Sequence, residues 1–575
     1  MSKQSELPKL FFCAIFTAAG LFAQQAKDAG TSPRSNVSSI TLPVLTSSMY
    51  RPLALSTSLL PVSATPAKPA ATKAPSASAS SACGTASGTQ FNLEGPNNPV
   101  PQDEPPVDFL YNRIPASQGG NTDLIVQQAN DWRGLGYAPN YQTTAIYVHR
   151  SDATTCSPDF EMGNAPISGM ISEYDSQVAA DANNDQFFLS DIVYGSSKSG
   201  VGLRRIPSAN LLSTSTCPNG TLTISQAEVC SGPNALVLDQ GSNIADWTGL
   251  AQDPRPVMSG TGSGDVYVVN ISEASPSSSA VHLTACKGLF ASASDCSPTI
   301  TVSTEVMEVA PRVSVVPGGP NQGTITVTYS ANDTTSSGCG TGNAICNDIK
   351  FVVCTPNGAP VAPTCGAPIL VAVEQNPVGR ILDNRFPIYT VPALATRADG
   401  STGQTTFVLW NRCKINPSSY TLSGYNCPDS DILMAWSTDL GNTWTQTGFV
   451  TAGRHQFMPN IGVDASTGVT NIVYNAMMDY FNTQDYVVLR QIPAGSTTPG
   501  PYVFVTNFPN NPESDPHLAA TEIYGDYINV AVKGTGSSGG SHAYVGHTKA
   551  TRLGSYGSAG ISAPDMNNHV SLVTY

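Results

Sequence analysis

The run DILMAWSTDLGNTWTQTGFV, Asp431 to Val450, decides how the rest of the chain is read. It alternates as a strand through Trp436, breaks into polar and glycine residues, and resumes at Trp444. The break reads S-x-D-x-G-x-x-W, from Ser437, Asp439 and Gly441 to Trp444. Each fixed residue has a turn role. The Ser and Asp oxygens bond the turn's N–H groups. Gly441 supplies a positive φ, and Trp444 packs into the sheet. The octet predicts a hairpin between a third and a fourth strand and carries no catalysis of its own.

The same strand–turn rhythm recurs. Apolar anchors, often preceded by Pro, fall at Val107, Val178, Leu250, Val313, Leu394, Ile461 and Leu518. Successive spacings of 57 to 81 residues leave room for four short strands in each unit. After each anchor comes a β-rich run such as FFLSDIVY, ITVTYSAN or FVLWNRCK. A third run follows, such as VGLRRIPS, DIKFVVCT or DILMAWST. Repetition on this scale predicts an all-β propeller of four-stranded antiparallel blades. Seven blades are expected, with six and an irregular seventh region as the alternative, because EIYGDYINVAV aligns in two ways. HVSLVTY at the C-terminus can add a closing strand.

Composition agrees. Only 12% of residues are charged, and Gly and Pro number 50 and 44, which suits a turn-rich β protein. The net charge of −14 repels a phosphate backbone and disfavours nucleic acid as a partner. Residues 1–23 read as a signal peptide, with Lys3 and Lys9 before the run LFFCAIFTAAGLF. Residues 24–90 read as an Ala/Ser/Pro-rich disordered linker, 91–552 as the propeller and 553–575 as a tail. No transmembrane span is expected in the mature chain, which is read as a monomer. Twelve cysteines beyond Cys13 include five close pairs: Cys217/Cys230, Cys286/Cys296, Cys339/Cys346, Cys354/Cys365 and Cys413/Cys427. Cys83 and Cys156 remain for each other. Such pairs predict loop disulfides in a secreted or extracytoplasmic protein.

With the octet at a third-to-fourth strand turn, the chain resembles the BNR-repeat, or Asp-box, sialidase-like propellers of secreted bacterial type. The resemblance implies a carboxylate-gripping arginine cluster, a Tyr nucleophile activated by Glu, and an Asp acid/base. On this reading Arg113 in YNRIP is the first arginine, followed by Asp131 and Arg133 in NDWR. Asp526 and Tyr527 in YGDY are the candidates near the last blade. Arg412 and Asp431, near strand ends of the fifth unit, are substrate-binding candidates or loop-ordering polar residues. DANNDQ (Asp181 to Gln186) and VDASTG (Val463 to Gly468) are oxygen-rich turns. No cofactor or catalytic metal is expected, and structural calcium is the one possibility left open. Two functions follow: a propeller that binds glycan or extracellular protein, or a sialidase-like glycoside hydrolase acting on acidic glycans.

Overall fold

In the computed structural model, the described residues are 78–79, 102–103, 105–114, 123–131, 144–150, 159–195, 198–241, 244–256, 262–275, 278–305, 309–333, 346–374, 380–381, 386–387, 390–413, 429–448, 455–477, 485–506, 528–534, 541–556 and 561–574. Residues 1–75, the expected signal peptide among them, lie outside the described residues.

Seven four-stranded antiparallel blades form a ring. Their inner strands are Val107–Leu110, Ile171–Asp181, Ile244–Gln252, Val309–Val315, Ala393–Asp399, Gln456–Val463 and Asn529–Gly534. Each inner strand touches the next, and the last touches the first. Apolar clusters fill the seams between blades, for example Ile349, Phe351, Leu394, Val408, Trp410 and Leu433 between blades 4 and 5. Because the blades lean on one another, none buries its faces alone.

Six anchors lie on inner strands as the repeat predicts. The seventh does not. The inner strand of blade 7 is Asn529–Gly534, so INVAVKGT is a first strand and not a second one. The Leu518 run lies outside the described residues. HAYVGHTK therefore begins the second strand, Ser541–Tyr556, and HVSLVTY ends the third, Ile561–Thr574. This corrects the boundary at 552, which falls inside a strand, and the reading of 553–575 as a tail. The expected linker needs a correction too: Ser78–Ala79 pairs with Val573–Thr574 as the fourth strand of blade 7. Without that pairing the outer edge of the last strand would be bare there.

Four inner strands share a bulge that periodicity does not reveal. Asp175, Trp247, Ala310 and Met458 have φ of 53°, 51°, 49° and 52°. Each sits three residues before its anchor, within a register shift against the second strand. A left-handed non-glycine residue is costly and survives where neighbours fix it. Here the neighbouring blade helps: Asp175 Oδ2 accepts the Trp247 N–H at 2.9 Å. Just after the Met458 bulge, Asn460 Nδ2 donates to Ile528 O at 2.8 Å.

Three of the predicted disulfides are present, Cys217–Cys230, Cys286–Cys296 and Cys354–Cys365. Cys346 and Cys413 are also disulfide-bonded. Their expected partners, Cys339 and Cys427, lie outside the described residues. Among the described residues, no helix is long and apolar enough to cross a membrane.

Candidate functional site

The ring has two faces. Inner strands start on one, and their hairpins to the second strands lie on the other. Second strands therefore end, and third strands begin, on the strand-start face.

Blade 5 brings Gly403–Cys413 up to that face, with Trp410 and Arg412 two residues apart and hence on one side of the sheet. Arg412 stands directly across from Asp431, and Trp410 from Leu433. The outer strand of blade 4, Ile369–Glu374, ends beside them. Between the two blades lies a cavity of about 140 Å³ lined by Ala372, Val373, Glu374, Trp410, Arg412, Leu433 and Gln446. Its apolar floor continues into the seam cluster below.

The polar groups in this cleft are unevenly satisfied. Trp410, fully buried, donates its indole N–H to Glu374 Oε2 at 2.9 Å, and Glu374 is itself buried. Gln446 donates to Val371 O at 3.2 Å. Arg412 is partly exposed, yet its Nε is buried with no acceptor. Among the described residues no hydrogen bond or ion pair reaches its guanidinium. A buried donor left unmade costs about 1–3 kcal/mol, a cost borne by the folded chain, since this nitrogen is closed to solvent.

The other predicted residues fall elsewhere. Arg113 lies just beyond the inner strand of blade 1, on the hairpin face. It is bonded to Asp185 and to Ala182 O in the corresponding hairpin of blade 2. Asp131 ends the second strand of blade 1, Leu124–Asp131, on the opposite face. That strand alone is about 23 Å long at about 3.3 Å per residue. Arg113 and Asp131 are thus kept apart, and Arg113 ties two blades together. Arg133, Asp526 and Tyr527 lie outside the described residues. A Tyr–Glu pair does occur: Tyr329 Oη donates to Glu305 at 2.9 Å, but Tyr329 is fully buried and cannot reach a substrate.

The octet is a turn on the hairpin face, between the strands Ser430–Ser437 and Thr445–Gly448. Ser437 Oγ accepts the Gly441 N–H at 2.8 Å, and Asp439 Oδ1 accepts the Thr443 N–H at 2.9 Å. Gly441 has φ 85°, and Trp444 meets the Phe351 ring of blade 4 edge-on at 5.1 Å. The oxygen-rich turns are built similarly. Asp181 accepts N–H groups from Asn183 and Asn184, and Asp464 from Ser466 and Thr467.

Sequence reading missed Glu374 and Gln446, which lie in otherwise unremarkable strands. Only the crossing of two blades makes them neighbours of Arg412. It also passed over Arg204 of the second R-I-P run. This residue is wholly buried, pairs with Asp191 and donates to Ala165 O.

No family model matches the chain, and no curated protein matches it. Among solved structures it is similar to polysaccharide lyase Uly1, at 9% identity over 75% of this chain and 84% of that one, with a TM-score of 0.37. A neuraminidase-like protein of subtype N11, from A/flat-faced bat/Peru/033/2010, shares 10% identity over 72% of this chain and 90% of that one, with a TM-score of 0.31. An N-acetylgalactosamine deacetylase from F. plautii shares 10% identity over 58% and 90%, with a TM-score of 0.29. At these scores the likenesses carry no argument about the chemistry of this chain.

Proposed function

We propose that this chain is an exported, Asp-box-type propeller that binds glycans without cleaving them, through the cleft between blades 4 and 5. One observation carries the reading: a partly exposed arginine and an amide line a single cavity on the strand-start face, backed by the buried Trp410–Glu374 pair. Glycan recognition uses this mixture of apolar surface and a few directed polar groups. The disulfides support an extracytoplasmic location.

A sialidase-type mechanism is the weaker reading. It needs arginines gathered around one carboxylate, whereas Arg113 is occupied by Asp185 on the hairpin face. The test is an array of neutral and acidic oligosaccharides probed with the purified protein, beside release of fluorophore from a sialic-acid glycoside. Glycan binding without turnover is the expected result. Turnover that disappears in Arg113→Ala would overturn it.

A further inference from the structure

We draw no further inference here: the strongest candidate, the aromatic patch that Tyr486, Tyr502 and the exposed Phe504 form on the two outer strands of blade 6, is an apolar face, and nothing in the structure shows what covers it.

Discussion

Gly441 sits at φ 85°, and a Cβ there would come within 2.6 Å of the Phe351 ring. Both the turn and its seating against blade 4 therefore exclude a side chain. Gly441→Ala should cost about 1–3 kcal/mol in denaturant unfolding, from strain plus overpacking. Two carboxylates carry opposite pH signatures. The Thr443 hydroxyl and N–H, with Ser437, hold Asp439 below its ordinary range. Its stabilising contribution is present above about pH 4 and is lost as the pH falls further. Burial pushes Asp265 up to about 6, the Ala359 N–H opposes this, and nearby Asp253 adds to it. A raised carboxylate favours the folded state at low pH, so this contribution is full below about pH 4 and disappears as the pH rises through 6. Asp265→Asn should therefore lose less stability than the wild type between pH 4 and 6.5. Parallel pH profiles for the two proteins would refute that assignment.

At the scale of elements, local turns were legible and pairings across blades were not. Ser437, Asp439 and Gly441 act on their own hairpin, so their spacing alone disclosed it. Arg204 and Asp191 lie in one blade as well, but nothing in RRIP distinguishes a buried guanidinium from a surface one. Arg204→Met should cost about 3–5 kcal/mol, because it strands the Asp191 carboxylate away from water. The alternation in INVAVKGT and HVSLVTY marked both as strands, yet their place in blade 7 depended on which run was taken as innermost. Residues 561–574 pair along nearly the whole second strand of that blade. Deleting them should abolish cooperative thermal unfolding. Removing residues 76–90 should lower the midpoint by a few degrees, since it takes away Ser78–Ala79. A truncated chain that melts like the full one would show that the pairing does not matter.

Over the whole molecule, the ring was legible because seven similar units can bury their faces only against each other. The functional face was not, because Glu374 and Arg412 come from different blades. Arg113, Asp181, Asp464 and the octet serve hairpins and seams on one side, and the cleft lined by Arg412 lies on the other. That cleft is the basis for placing ligand recognition on the strand-start face. The most direct measurement is a crystal structure of the protein with an oligosaccharide that it binds on the array. The saccharide is predicted to lie between blades 4 and 5, against Arg412 and Gln446. A saccharide bound on the hairpin face or elsewhere on the ring, with the Arg412 cleft empty, would contradict the account.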